Sequence, residues 1–270
     1  MRNQFTKQVL QDIASFNNRY LGGILANLFE SHPELQEDIA NSIIGAIAAK
    51  ENDNVNKLLE EAFLPGYPDH PTLSDFDASC LSKTDKEVYD KFMTLDCLID
   101  RNRKPNLVLY GPPDCGKEKV AVGLGDRLCR EGKSARFIDF HHLMEVLQTH
   151  GRLPSSNTLY RILTKVECLI IDDFACMNIH DADLLDSLYV LLRTRIDDHL
   201  SPKTKKKIRA TFVTTHHHLE DWPRHLIGDD FKVLQIINIL YGRGTLLSID
   251  EKAPRIEEDE TTSSSSEATR

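Results

Sequence analysis

Apolar residues recur along this chain in two rhythms, and the change from one to the other falls near residue 105. Before it the spacing is helical. Val9, Ile13, Phe16, Tyr20 and Ile24 form one stripe; Leu35, Ile39, Ile43 and Ile47 form a second after a Ser31/Pro33 start signal; Val55, Leu58, Leu59, Ala62 and Phe63 form a third after an Asp53/Asn54 cap. Residues 1–64 are therefore predicted to be a helical module. The run Pro65-Gly66-Tyr67-Pro68-Asp69-His70-Pro71 is crowded with turn formers and opens a linker and lead-in segment over 65–104. Beyond it, strand-like runs at 106–110, 135–140, 168–171, 210–214 and 245–249 alternate with helix-like stretches at about 117–131, 141–149, 155–165 and 181–198. That alternation predicts an α/β domain over 105–255, a mostly parallel sheet flanked by helices. The acidic, serine-rich stretch 256–270 reads as a disordered tail.

The first strand-to-helix junction carries Gly111-Pro112-Pro113-Asp114-Cys115-Gly116-Lys117-Glu118. In the phosphate loop G-x-x-x-x-G-K-[ST], glycines let backbone N–H groups wrap phosphate oxygens, the lysine neutralises them, and the last hydroxyl holds Mg²⁺. Both glycines and Lys117 are present in the required strand, loop, helix order, which points to a nucleoside triphosphate such as ATP. Glu118 stands where the hydroxyl belongs, and its carboxylate is itself a candidate Mg²⁺ ligand. A second element fits the first. The apolar run Cys168 to Ile171 ends in Asp172-Asp173, the Walker B pattern, in which Asp172 would organise Mg²⁺ and Asp173 would orient an attacking water.

Charge and cysteines narrow the class. The net charge of −9 is concentrated at the ends: residues 1–70 hold 5 Lys/Arg against 10 Asp/Glu, residues 250–270 hold 3 against 7, and the remainder holds 25 of each. Such a chain does not wrap nucleic acid indiscriminately, yet Lys203, Lys205, Lys206, Lys207 and Arg209 form a basic run able to grip phosphates without reading bases. No apolar run approaches the ~18 residues of a membrane span, and no signal peptide opens the chain, so a cytoplasmic protein is expected. The six cysteines show no metal-site or disulfide-scaffold spacing; Cys168 reads as core, and Cys115 lies inside the phosphate loop. His216-His217-His218 is read as structural, because neighbouring residues on a strand point to opposite faces.

Taken in order, the lead-in Thr72 to Asp77, the phosphate loop, Leu169 to Phe174, Thr211 to Thr215, Trp222 and Gly228-Asp229 resemble the IstB-like ATP-binding proteins of insertion sequences and the related DnaC-type helicase loaders, both of the AAA+ class. The resemblance runs from about residue 39 to 255. It implies an oligomerising ATPase that binds DNA and delivers a partner to it, a transposase in the first case and a replicative helicase in the second. It places the sensor-1 position on His216, as a catalytic residue, and the arginine of the C-terminal Asp-Arg-Leu element on Ile239, with Arg243 as a nearby substitute and Arg255 matching a terminal arginine. Asp114 stands where the family has Gly and Glu118 where it has Thr or Ser. Nucleotide binding with weak hydrolysis is the resulting expectation. The alternative is a degenerate AAA+ adaptor that acts through protein binding without turnover; an NTPase with no DNA role is a third.

Overall fold

The computed structural model describes residues 31–32, 36–95, 105–152, 158–200, 209–226, 230–242 and 244–249. The chain divides into two units, Met1–Lys57 and Leu58–Arg270. The boundary falls inside helix α1 (Gln36–Ala62) rather than at the Pro65–Pro71 turn. In the first unit, Ile39, Ile43 and Ile47 keep the expected spacing and are each half-buried, while the stripe from Val9 to Ile24 lies outside the described residues. The helix break expected at Asp53/Asn54 does not occur. Asp and Asn each cost only several tenths of a kcal/mol in a helix interior, and burial of Leu59 and Ala62 anchors the last turns.

The second unit is built on five parallel strands: β1 (Asn106–Tyr110), β2 (Ala135–Asp139), β3 (Cys168–Asp172), β4 (Ala210–Thr215) and β5 (Gly244–Ser248). Their order across the sheet is β2-β3-β4-β1-β5. The three central strands are almost continuously buried, as strands covered on both faces must be. Helix α2 (Lys83–Met93) lies against β5, and α3 (Lys117–Arg130) packs along β2, β3 and β4. The chain then forms α4 (Phe140–Arg152), α5 (Thr158–Lys165), α6 (Ala182–Leu200), the single turn α7 (Trp222–His225) and α8 (Asp230–Ile237), which runs on into a π-helical turn at Asn238–Gly242. Phe140, Phe174 and Trp222, all fully buried, stack in series with centroids 4.8 and 4.6 Å apart.

The strand positions follow the expectation closely. Helices α2 and α8 were not anticipated, although each carries a legible start: Ser82 caps α2 by accepting the Asp85 N–H at 3.1 Å, and Asp230 opens α8. The 65–71 turn segment, read as a linker, is fastened to the sheet's own helix. His70 Nε2 meets Asp126 Oδ1 at 2.9 Å, and Arg130 Nε donates to Asp126 Oδ2 at 2.8 Å. Burial alone would raise the Asp126 pKa, but the hydrogen bonds from Arg130 and His70 bring it below the ordinary aspartate value.

Two buried polar side chains fix the start of β4. Asn106, at the first position of β1, accepts the Thr211 N–H at 2.9 Å and donates to the Ile239 carbonyl at 2.8 Å. Arg195 on α6 is completely buried; it donates to Thr211 Oγ1 (3.1 Å), to the Leu163 and Val166 carbonyls at the end of α5 (2.7 and 3.0 Å) and to the Ala210 carbonyl. Removing it leaves several buried acceptors without a donor. Arg195→Met is expected to lower unfolding stability by about 3–5 kcal/mol in urea titrations, and Arg195→Lys, which lacks the planar fork, recovers only part of the loss.

Candidate phosphate-binding cleft

The phosphate loop leaves the sheet between two neighbours of β1. Gly111 N–H donates to the Thr215 carbonyl at 3.3 Å, and Ile249 N–H donates to the Tyr110 carbonyl at 2.8 Å. A Cβ at Gly111 would sit 2.7 Å from Cys115 Sγ and closer still to the Ile249 carbonyl, so only glycine fits. Gly116 turns the chain into α3 with φ +96°, and a Cβ there would meet the Phe76 ring at 3.1 Å. Asp114 adopts φ +59°, which explains why glycine suits this position; aspartate is among the few side chains that enter the left-handed region at modest cost. Pro112 and Pro113 complete the loop.

Lys117 opens α3 and is buried, at 6 % exposure; its Nζ donates to the Gly111 and Pro112 carbonyls at 2.9 and 2.5 Å. The first helical bond of α3 runs from Val120 N–H to the Gly116 carbonyl, which leaves the N–H groups of Lys117, Glu118 and Lys119 outside the helical ladder. Lysine, free amides and the positive end of a helix thus meet at one place, the arrangement that binds phosphate.

The facing wall comes from β3 and β4. Asp172 ends β3, and Asp173 follows in a left-handed turn with φ +51°. Thr214 Oγ1 donates to Asp172 Oδ1 at 2.5 Å and accepts the Asp173 N–H at 2.9 Å. His216 Nε2 lies 3.4 Å from Asp173 Oδ1. The cleft between these walls has a volume of about 370 Å³ and is bordered by Asp114, Lys117, Glu118 and Lys119 on one side and Asp172, Asp173, Thr214 and His216 on the other. The structure therefore brings together the phosphate loop, the paired aspartates and His216 as expected. Sequence reasoning missed Thr214; its one signal is a threonine at the C-terminal end of the strand next to β3.

Negative charge is crowded here. Burial raises the Glu118 pKa first, and Asp172 and Asp173 raise it further. Burial also raises Asp172, with Asp173 adding to it, against the opposing hydrogen bond from Thr214 and the charge of Lys117. Among the described residues, no three His, Cys, Asp or Glu side chains are gathered closely enough to hold an ion by themselves. The carboxylates of Asp172 and Glu118 that border the cleft beside the phosphate loop are donors of the kind Mg²⁺ takes, one or two carboxylates completed by phosphate oxygens and water.

Other expectations separate from the cleft. Arg209 is 4 % exposed, so the last cation of the basic run is packed inside rather than offered to a phosphate backbone; Lys203, Lys205, Lys206 and Lys207 lie outside the described residues. The three consecutive histidines follow the end of β4 in a bend rather than on the strand, and they take different partners: His216 faces Asp173, His217 stacks on His225 at 4.0 Å, and His218 Nε2 meets Tyr110 OH at 2.6 Å. Burial, then His225 and His216, lower the His217 pKa. Ile239 is a core residue, whereas Arg243, Arg255 and the tail lie outside the described residues.

Comparison with known proteins agrees with this geometry. Residues 41–261 match the family described as IstB-like ATP binding protein. The chain is 20% identical over 212 residues to an ATP-binding protein of insertion sequence IS5376 from Geobacillus stearothermophilus, covering 78% of this chain and 77% of that protein. It is 25% identical over 205 residues to the corresponding protein of IS21 from Pseudomonas aeruginosa, covering 74% and 69%. Among solved structures it resembles DnaI (TM-score 0.52, 18% identity, 68% of this chain and 90% of that one) and AMPPCP-bound DnaA from Aquifex aeolicus (TM-score 0.51, 16% identity, 69% and 51%). At these identities the structures show a shared fold.

The raised Glu118 pKa has a consequence for stability. A carboxyl whose folded-state pKa lies above its unfolded value destabilises the fold as pH rises through the interval between the two. Glu118→Gln is therefore expected to raise the thermal midpoint of the ligand-free protein at pH 7 by about 1–2 °C, with the advantage vanishing below the ordinary glutamate range. Equal midpoints at both pH values would show that Glu118 is not electrostatically crowded.

Proposed function

This chain belongs to the IstB-like ATP-binding proteins, and on that footing we propose that it is an AAA+ accessory protein that binds ATP, hydrolyses it weakly, and assists DNA transposition by acting on a transposase. The observation that carries this is the convergence of Lys117 with Asp172 and Asp173 in one cleft at the ends of β1 and β3. Relatives named for insertion sequences support transposition over helicase loading; the likeness to DnaI is one of fold. Oligomerisation and contact with DNA are part of the same proposal. Lys203, Lys205, Lys206 and Lys207 are the DNA-contact candidates, and Arg209, being buried, is not among them.

In this reading Lys117 exchanges the Gly111 and Pro112 carbonyls for β- and γ-phosphate oxygens, and the N–H groups around Gly116 to Lys119 take the remaining ones. Asp172 is the carboxylate that faces the metal, and Asp173 holds a water, with His216 beside it to orient the pair. Mg²⁺, when bound with ATP, neutralises charge on the β- and γ-phosphates. Glu118, on the same cleft, would be a further carboxylate ligand for the ion, but its charge would also oppose that of a triphosphate. Like charges a few ångströms apart cost several kcal/mol at an effective dielectric near 20 before solvent relaxes. This is the physical basis for binding with slow turnover.

Titration with ATP in the presence of Mg²⁺ is expected to show binding that Lys117→Ala weakens about 10- to 100-fold, the loss of one or two charge-assisted hydrogen bonds. No binding in the parent, or binding indifferent to Lys117→Ala, would remove the foundation of the proposal. Glu118→Thr is expected to raise turnover by about tenfold or more, equivalent to roughly 1.4 kcal/mol of barrier. Replacing Lys205, Lys206 and Lys207 together by Glu is expected to weaken DNA binding and to reduce the slope of affinity against salt by about 2–3; an unchanged slope would move the DNA contact elsewhere.

A further inference from the structure

We propose that Thr214 is a positioning residue of the nucleotide site, one that aims the metal-facing carboxylate of Asp172 through a hydroxyl on the neighbouring strand. The inference rests on the nucleotide-binding reading given above. It starts from the valence of one buried hydroxyl. Thr214 is 1 % exposed, and its single hydroxyl hydrogen goes to Asp172 Oδ1 while its oxygen receives the Asp173 N–H. With Oδ1 engaged by Thr214, Oδ2 is left for a metal, and the carboxylate is oriented by a partner on the neighbouring strand together with the backbone at Asp173.

The turn out of β3 has fastenings besides this hydroxyl. The last paired positions of β3 and β4 are Ile171 and Val213. Past them, the turn out of β3 is held by Phe174 N–H on the Thr214 carbonyl at 2.8 Å and by Thr215 Oγ1 on the Phe174 carbonyl at 3.0 Å. Both bonds hold Phe174, between Asp173 and Ala175, which sit at φ +51° and +64° and so need outside support. Neither bond uses Thr214 Oγ1. The hydroxyl is therefore spent on aiming Asp172 and holding the Asp173 N–H, and with a methyl in its place the turn keeps its two fastenings at Phe174.

Thr214→Val tests this, with Thr214→Ser as the conservative partner that keeps the hydroxyl. The Mg²⁺ concentration giving half-maximal binding of ATP is the principal readout, beside ATP affinity in EDTA and the thermal midpoint. Loss of a residue that orients a metal ligand costs about 10- to 100-fold in metal affinity. The expectation is that Thr214→Val raises the half-maximal Mg²⁺ concentration by that factor with metal-free affinity near the parent's and a thermal midpoint lowered by a few degrees, the loss of the hydroxyl's two hydrogen bonds, and that Thr214→Ser restores the parent values. A Val variant with unaltered Mg²⁺ dependence overturns the proposal, as does a Ser variant that fails to restore it. Should the parent itself bind no ATP, the nucleotide-binding reading falls and this inference falls with it, an outcome distinct from either of the others.

Discussion

The cleft depends on the register of β4, and that register is fixed at the end of the strand farthest from the chemistry. Asn106 and Arg195 both converge on Thr211, one through its N–H and the other through its hydroxyl, and Arg195 also holds the carbonyl of Ala210. A slip of one residue would turn every side chain of β4 to the opposite face of the sheet. Thr214 would then leave Asp172, and Thr215 would lose the Phe174 carbonyl. Three residues along a strand span about 10 Å, so two buried polar groups control geometry at a distance with no contact to the site. Burying a guanidinium and an amide is costly unless every donor is used. Here the donors close the end of α5, the start of β4 and the π-helical turn at once.

At the other end of the same strands, the sheet order puts β4 between β1 and β3. The phosphate loop and the paired aspartates are thus two strand spacings apart, about 10 Å in the hydrogen-bonding direction, and Thr214 on the strand between them lies in the gap. The cleft this makes holds Asp114, Glu118, Asp172 and Asp173 against Lys117 and Lys119. Ordinary phosphate loops place a neutral hydroxyl where Glu118 stands. The exchange leaves the cradle intact, because backbone amides and the helix terminus do not depend on that side chain, and alters the balance of charge around whatever the cradle holds. In the proposed reading binding and turnover are separable for this reason: the first would draw on the loop's backbone and Lys117, the second on the carboxylates.

The five strands and the phosphate loop were legible because their signals are local. An apolar run bounded by turn formers needs no partner to be recognised, and the loop's glycines state their own conformational demand, confirmed at Gly111 and Gly116. What escaped was set by distant partners or by competition. Asp53 and Asn54 carry a real cap preference, yet the helix continues through them, since burial farther along at Leu59 and Ala62 outweighs it. His70 looks like a turn residue until Asp126 is found 56 positions away. Arg209 looks like part of a basic surface run, although its 4 % exposure places it inside. Thr214 shows nothing by itself; only the pairing of β3 with β4 brings it to Asp172.

The register clamp also bears on the arginine that the family resemblance places at Ile239. That side chain is 5 % exposed, and its carbonyl is the acceptor for Asn106 Nδ2. The position therefore does two structural jobs, filling the core beneath α8 and completing the clamp that sets β4. An arginine there would have to bury a guanidinium in apolar surroundings or swing the π-helical turn outward, and the second course would break the Asn106 bond. Within this packing the site cannot present a cation to a neighbouring subunit. Losing such a cation removes a contribution that elsewhere amounts to roughly 10³ to 10⁵ in rate. In the proposed reading the departures at Ile239 and Glu118 would act in the same direction through unrelated physics: one would deprive the transition state of a positive charge, and the other would add a negative charge beside it.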